Sequence, residues 1–170
     1  MPEAEINWQP ELVTPLLNTR ALQAGDFDTL FAVASDPDIW QQHPEPERYK
    51  PEVFRKFFDS GLESGGALLL RDNKNQEVIG SSRYYGYSSE ERTVSIGYTF
   101  LAKRCWGHTY NAELKRAMMA YAFMYCESIY FHVGEHNTRS RLAIGKIGGV
   151  LQSIDKGTAL YVIRKEDWTS

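Results

Sequence analysis

The chain has 170 residues, of which 42% are hydrophobic and 24% charged, so it can bury one core but is short for two domains of ordinary size. The formal net charge of -3 is spread along the sequence, which argues against a nucleic-acid-binding protein. The acidic, polar amino terminus and the lack of a run of roughly 20 apolar residues argue against a secretion signal and a membrane span. With only 2 cysteines, no disulfide framework is expected. We therefore expect one cytoplasmic domain over residues 1–170, with its core at about 12–164 and no nucleic-acid or membrane partner.

The first part of the chain alternates between strand and helix patterns. β-type residues between 12 and 22 predict a strand, and the acidic start and apolar spacing of Asp26–Ala34 predict a helix. The proline-rich stretch Pro37–Pro51 predicts a loop. After it, apolar residues recur at three- and four-residue steps over 53–62, which predicts an amphipathic helix that ends near Gly65.

Three stretches rich in β-branched and aromatic residues follow, separated by short polar turns, and predict an antiparallel meander. They lie at 67–71, 78–87 and 93–101. The remaining predicted elements are a largely buried helix from 111, a strand at 129–133, a short helix at 138–146 and two strands at 150–153 and 158–164. A meander followed by a strand-helix-strand unit predicts an α/β fold with a mixed sheet flanked by helices.

The junction between the third meander strand and the buried helix has the features of an anion-binding site. A helix amino terminus offers unpaired N–H groups and a partial positive charge, and Gly107 lets a phosphate approach the main chain. Arg104 adds a cation with several donors. When the hexapeptide is read alone, an ordinary loop with a solvent-facing arginine explains it equally well.

Arg104-x-x-Gly107-x-Thr109 resembles the Q/R-x-x-G-x-G/A signature of the GNAT superfamily of N-acetyltransferases. Residues 106–114 are also similar to the W-G-x-G-Y-A-x-E-A pattern of its ribosomal-protein N-terminal acetyltransferase branch. Thr109 departs from the usual Gly or Ala and would crowd a diphosphate, although its hydroxyl can donate to phosphate. The resemblance covers about 12–164 and implies a mostly antiparallel mixed sheet with helices on both faces and acetyl-CoA as co-substrate.

The resemblance also assigns residues to the cofactor and to the chemistry. The implied cofactor-binding positions are Tyr98, Thr99, Phe100, Leu101, Arg104, Cys105, Trp106, Gly107, His108, Thr109 and Asn137. In the same family pattern Ser140 protonates the leaving thiolate, which needs a nearby donor in a dry site. Read from the sequence alone, Asn137 is more simply the N-cap of the short helix.

The group that deprotonates the acceptor amine is left unassigned. Ser95 occupies the position at which family members often have a glutamate, and serine cannot take up a proton at neutral pH by itself. Glu91, Tyr84, Tyr98, His132 and ordered water are the alternatives, and spacing selects none of them.

The expected function is transfer of an acetyl group from acetyl-CoA to a primary amine by direct attack in a ternary complex. The amine belongs to a protein amino terminus, a polyamine, an amino acid or an antibiotic, and we expect His43, Tyr84 and Ser95 to contact it. No metal site is expected, because His132 and His136 have no third ligand nearby in sequence. Two other interpretations stay open: a non-catalytic acyl-CoA-binding or sensing domain, and a protein that binds another diphosphate nucleotide. A homodimer also stays open.

Overall fold

Seven strands form one open sheet in residues 5–168, the part of the chain that the computed structural model describes. The strands are β1 Leu17–Ala21, β2 Ala67–Asp72, β3 Val78–Ser88, β4 Thr93–Leu101, β5 Ser128–Gly134, β6 Val150–Asp155 and β7 Thr158–Arg164. The helices are α1 Phe27–Ala34, α2 Pro37–Trp40, α3 Pro51–Ser64, α4 Tyr110–Ala122 and α5 Thr138–Lys146. A 3-10 turn, Lys103–Cys105, joins β4 to α4.

The sheet order is β1-β2-β3-β4-β5-β7-β6, and every neighbouring pair is antiparallel except β4 with β5. Short polar turns produce the antiparallel meander of β2 to β4, whereas the parallel pair needs α4 as its crossover. These observations confirm the predicted mixed, mostly antiparallel sheet.

Side chains alternate between the two faces along each strand, and here both faces present apolar residues. Helices therefore cover both faces of the sheet. On one face, Tyr84, Val94 and Ile96 pack in the cluster that contains Leu114 and Met118 of α4. On the other face, a second cluster combines residues of α1 to α3 with β2 and β4, namely Leu30, Ala34, Trp40, Phe54, Phe58, Leu69 and Phe100. The two faces are called the α4 face and the α3 face below.

Local sequence signals account for the helix boundaries on the α3 face. Pro51 opens α3 at a position where its missing N–H is harmless, and Gly65 ends it in the left-handed conformation with a φ of 70°. The stretch Pro37–Pro51, for which the sequence predicts a loop, contains the one-turn helix α2. There the Asp36 carboxylate accepts a hydrogen bond from the Asp38 backbone N–H, which makes Asp36 an N-cap.

β4 and β5 separate after a short paired segment. They pair only from Thr93 to Ser95 with Ser128 to Tyr130, although both strands continue further. On its other edge, β4 carries a bulge, because Arg83 pairs with Gly97 while Ser81 pairs with Phe100. We call the resulting opening between the end of β4 and the end of β5 the strand cleft.

Within residues 5–168, no helix combines the length and apolar character that a membrane span requires. The same residues contain no group of three or more His, Cys, Asp or Glu side chains placed to hold a metal ion.

Candidate functional site

The segment Lys103–Thr109 lies between the cleft-lining end of β4 and the amino terminus of α4. Gly107 has a φ of 76°, which glycine adopts freely, and a Cβ atom built there would meet nothing within 4 Å. Gly107, His108 and Thr109 are exposed, whereas Cys105 is buried in the core. The exposed half of this loop can therefore receive a ligand at the helix amino terminus.

Arg104 anchors this loop to the β2–β3 turn. Its guanidinium forms ion pairs with Asp72 at 3.0 Å and with Glu77 at 3.3 Å. The buried Asp72 carboxylate also accepts hydrogen bonds from the Tyr110 hydroxyl and the Lys74 N–H. These donors, with the Lys74 N–H as the largest contribution, lower the pKa of Asp72. The charge of Arg104 is thus balanced within the protein.

Thr109 is also engaged within the protein. Its hydroxyl donates to the Glu113 carboxylate over 2.9 Å, and the other oxygen of Glu113 accepts the Leu16 N–H over 3.0 Å. These two bonds tie the first turn of α4 to the chain that precedes β1. The Thr109 hydroxyl, which the sequence suggests as a phosphate donor, already has this carboxylate as its acceptor.

Trp106 and Arg139 connect the loop to the amino terminus of α5. The Arg139 guanidinium carbon lies 3.8 Å from the Trp106 ring centroid. Arg139 also donates to the Ile39 carbonyl, and its N–H donates to the Gln42 side chain. No carboxylate among residues 5–168 lies within 4.0 Å of its guanidinium. Arg139 is therefore a cation beside the loop without a partner anion in the described chain.

At the start of α5, Asn137 is buried and acts as the N-cap, because its side-chain oxygen accepts the Ser140 N–H over 3.3 Å. Ser140 lies in the first turn of α5 and is half-buried. Asn137 thus has the structural role that its sequence position suggests, and Ser140 lies on the helix that follows the β5 edge of the strand cleft.

Aromatic and polar side chains line the strand cleft on the α3 face. Ser95 is buried at the last residue pair before the strands separate, and it pairs with Tyr85 across β3 and β4. The ring of Tyr85 lies 5.1 Å from that of Tyr98 and 6.1 Å from that of His132 on β5. Burial raises the pKa of Tyr85 to about 12 and lowers that of His132. Rings from three strands thus surround this end of the cleft.

Tyr98 sits in the bulge of β4 with a φ of 52°, an uncommon conformation for a residue with a side chain. Its ring centroid lies 3.9 Å from the guanidinium carbon of Arg83, which is only 5% exposed. The Arg83 guanidinium also donates to Ser60 and to the Phe57 carbonyl on α3. The bulge therefore brings an aromatic ring over a buried cation beside the cleft.

His43 and Tyr84, both expected to contact the acceptor, have different positions. His43 lies beside α2, with its ring 5.0 Å from that of Trp40, and burial together with Arg48 and Arg139 lowers its pKa to about 4. Tyr84 is buried on the α4 face, where its hydroxyl donates to the Met118 carbonyl. The structure does not bring Tyr84 into the strand cleft.

Lys115 on α4 is buried behind the bulge. Its ammonium donates to the Thr99 hydroxyl over 2.5 Å, and Thr99 also shares a hydrogen bond with Ser82. Burial lowers the pKa of Lys115 to about 7. The Lys115 amine therefore changes charge near neutral pH. Its hydrogen bond to Thr99 connects it to β4, the strand that lines the cleft.

Sequence reasoning did not single out four of these residues, Arg48, Arg83, Tyr85 and Lys115. Arginine and lysine are usually exposed, so their burial has no signal in a single sequence. Tyr85 had one available signal, since it is adjacent to Tyr84 and therefore points to the opposite face of β3.

Comparison with known proteins defines the family. A sequence model of the acetyltransferase (GNAT) domain matches residues 17–150. The chain belongs to this family. A curated relative, the uncharacterized protein YkkB of Bacillus subtilis (strain 168), is 28% identical over 123 residues, which cover 69% of this chain and 71% of YkkB.

Solved structures of GNAT proteins share this fold. A GCN5-related N-acetyltransferase from Brucella melitensis superposes with a TM-score of 0.82 at 18% identity, covering 98% of this chain and 82% of that one. The spermidine N-acetyltransferase from Vibrio cholerae, in complex with CoA and spermine, superposes with a TM-score of 0.68 at 16% identity, covering 89% and 96%. At these identities the likeness shows the fold alone.

A surface groove of about 550 Å³ adjoins the loop but differs from the strand cleft. It is lined by α1, α2, the β2–β3 turn and Ala102–Arg104, and it includes no residue of the cleft-facing aromatic group. Because the separated strand edges and the α4 amino terminus supply main-chain donors and acceptors, the cleft and loop form the better candidate site for GNAT chemistry.

Proposed function

We propose that this GNAT protein is an N-acetyltransferase that transfers the acetyl group of acetyl-CoA to a primary amine in a ternary complex. The observation that carries the proposal is the strand cleft, which continues into an exposed, glycine-containing loop at the amino terminus of α4. The motif similarity to the ribosomal-protein N-terminal acetyltransferase branch and a cytoplasmic location stay part of this proposal, and a homodimer stays open.

The residues around the cleft fit acetyl-CoA in three ways. The exposed N–H groups near Gly107 and Thr109 suit the diphosphate. Arg139 supplies a cation that no carboxylate of the described chain balances, in place of the paired Arg104. The edge of β4 after Ser95 offers main-chain groups to the amide bonds of the pantetheine arm, in the manner of an added strand.

The proposed reaction forms one C–N bond and breaks one C–S bond. The neutral amine attacks the thioester carbonyl, and the Ser140 hydroxyl protonates the departing thiolate. The proton that the amine loses returns to Ser140 through water or a nearby side chain, so the hydroxyl is restored. N–H groups at the β4 bulge polarise the carbonyl. Alignment of the two substrates in the cleft supplies much of the rate.

A non-catalytic acyl-CoA-binding domain is the second candidate. Ser95 favours it, because this buried serine stands where family members often have a glutamate base. Both candidates bind acetyl-CoA, and only the enzyme consumes it when an amine is present.

The test of the proposal is thermal unfolding of the whole protein with acetyl-CoA, CoA, ATP and NAD in parallel. A ligand at a hundredfold its dissociation constant stabilises a protein by about 2.7 kcal/mol. We expect that only acetyl-CoA and CoA stabilise the protein. In a second assay with acetyl-CoA, we expect CoA to be released only when an amine is present. Equal stabilisation by ATP would indicate a general nucleotide site, and no stabilisation by CoA would exclude the proposed function.

A further inference from the structure

The α3 face of the strand cleft contains two arginine side chains close to one aromatic ring. The guanidinium carbons of Arg48 and Arg83 lie 4.7 Å and 5.6 Å from the centroid of the Phe57 ring. The Tyr98 ring that contacts Arg83 is 43% exposed, so the group reaches the surface at the cleft. We call Arg48, Arg83, Phe57 and Tyr98 the arginine–aromatic cluster.

No carboxylate among residues 5–168 forms an ion pair with this cluster, and Glu45 acts on the Arg48 charge only from a greater distance. Arg83 is 5% exposed, and its Nε atom is buried without a hydrogen-bond partner. Among residues 5–168, no carboxylate lies within 4.0 Å of the guanidinium of Arg48 or Arg83. Arginine stays protonated in proteins, so the cluster carries two cations, of which Arg83 is almost fully buried and Arg48 is half-buried. A buried cation without an anion is unfavourable.

Two further observations indicate a positive potential at this position. Burial is the largest cause that lowers the pKa of His43, and the charges of Arg48 and Arg139 lower it further, to about 4. This histidine is therefore neutral at pH 7. Burial lowers the pKa of Arg83, and Arg48 adds a contribution in the same direction that is smaller than the opposing contributions of Tyr98 and Tyr85. The whole chain has a formal net charge of -3, so the positive site is a local arrangement and does not follow from the composition.

We propose that the acceptor is a small amine that also carries an anionic group, a carboxylate or a phosphate, and that Arg83 and Arg48 bind this group. The inference rests on the proposed function and adds the substrate class. The guanidinium of Arg48 and the unpartnered Nε–H of Arg83 supply the donors for either anion, since the two terminal nitrogens of Arg83 already donate to Ser60 and the Phe57 carbonyl. The aromatic rings limit access of water to the contact. A polycation such as spermidine would meet repulsion at the same place.

The first experiment measures ligand binding to the full-length protein with saturating CoA, so that no turnover occurs. The probes are the common L-amino acids against their carboxamides, and phosphoethanolamine against ethanolamine, with spermidine as the cationic probe. We expect at least one anionic probe to bind about ten-fold or more tightly than its neutral partner, as one charge-assisted contact provides. The two probe sets distinguish a carboxylate from a phosphate. Equal binding of both members of every pair, or preferred binding of spermidine, would overturn the proposal.

The second experiment assigns the preference to residues. Arg83→Gln should remove the preference of the protein for anionic over neutral probes. Arg48→Gln should reduce this preference, and because Arg48 is only half-buried, this second variant disturbs the fold less. Arg55→Gln is the matched control, because this exposed α3 arginine also lies over phenylalanine rings but has Asp59 as its ion-pair partner. A preference that survives in both the Arg83 and Arg48 variants would refute the assignment.

CoA titrations of the same variants separate this inference from the proposed function. Arg139→Gln should weaken CoA binding and keep the preference among acceptor probes, whereas Arg83→Gln should leave CoA binding unchanged. If Arg83→Gln weakens CoA binding as much as Arg139→Gln does, the anion at Arg83 is a phosphate of CoA and the inference is wrong. If CoA does not bind the unmodified protein, the proposed function fails, and probe binding measured without CoA still tests the anion site.

Discussion

The ammonium of Lys115 donates a hydrogen bond of 2.5 Å to the Thr99 hydroxyl, in a position where Lys115 is 5% exposed. Burial lowers the pKa of this lysine to about 7 in the folded protein, whereas an unperturbed lysine has a pKa of about 10.4. Between these two pH values the unfolded chain binds more protons, so Lys115 makes stability rise with pH. Below about pH 7 both states are protonated, and the folded state bears the full unfavourable free energy of the buried charge.

We therefore predict that Lys115→Met stabilises the protein at pH 6 to 7 and removes part of the pH dependence above pH 7. The contribution of one such group is at most about 1.4 kcal/mol per pH unit. Urea unfolding of both proteins at several pH values between 6 and 9.5 measures it, with the exposed Lys56→Met on α3 as the control. Parallel stability curves for the Lys115 variant and the unmodified protein would contradict the lowered pKa.

Gly107 allows a direct test of the loop as a phosphate site. A Cβ atom at Gly107 meets nothing within 4 Å, but the φ of 76° strains most other residues. Gly107→Val should lower CoA affinity about ten-fold or more by strain and crowding together. Gly107→Asn separates the two effects, because asparagine tolerates the left-handed conformation. Calorimetric titration with CoA measures both variants. Unchanged affinity in both would remove the loop from the site.

Ser140→Ala tests the proposed acid. If the hydroxyl protonates the thiolate, turnover should fall by about 10²-fold or more while the KM for acetyl-CoA changes little. Steady-state kinetics with an accepted amine measures both constants, and Thr138→Ala in the same first turn of α5 is the control. A turnover number equal to that of the unmodified enzyme would leave Ser140 with only its backbone role at the N-cap.

Asp72→Asn should destabilise the protein, because Asp72 holds Arg104 and Tyr110 in place. The loss of a charged acceptor that is almost fully buried predicts a decrease of about 1–3 kcal/mol in the free energy of unfolding. The pKa of Asp72 is lowered in the folded state, so its stabilisation is present above its unfolded pKa and is lost as pH falls through its folded pKa. Urea unfolding between pH 6 and 3 should therefore show a smaller acid loss in the variant. Glu77→Gln, at the exposed partner of Arg104, should change stability much less, and an equal effect of the two would show that Asp72 has no special role.

The order of the elements could be predicted because each strand and helix has a local period, and because short polar turns fix the meander. The loop at Gly107 could be singled out because its residues are contiguous and match a family signature. Its ion pairs could not be predicted, since Asp72 and Glu77 precede Arg104 by 32 and 27 residues. For this reason the sequence assigns the Arg104 charge to a ligand, whereas the structure pairs it with these carboxylates.

The α3 face of the strand cleft was the part that the sequence could least predict. Its contacts combine Arg48 before α3, Arg83 on β3 and Tyr98 on β4, and only the fold brings these together. The choice of Tyr84 as an acceptor contact shows a second difficulty. Adjacent strand residues face opposite ways, so an assignment shifted by one residue exchanges the cleft for the core.

The three residue pairs that join β4 to β5 are the only strand-to-strand link, in residues 5–168, between the half-sheet β1–β4 and the half-sheet β5–β7. Elsewhere along the sheet, neighbouring strands are held by longer ladders. A molecule bound in the strand cleft touches both half-sheets. It can form hydrogen bonds with the main-chain groups of β4 and β5 that are not paired with each other. A bound molecule should therefore make the unfolding of the two half-sheets more cooperative. Amide hydrogen exchange along β5 should slow when the cleft is filled.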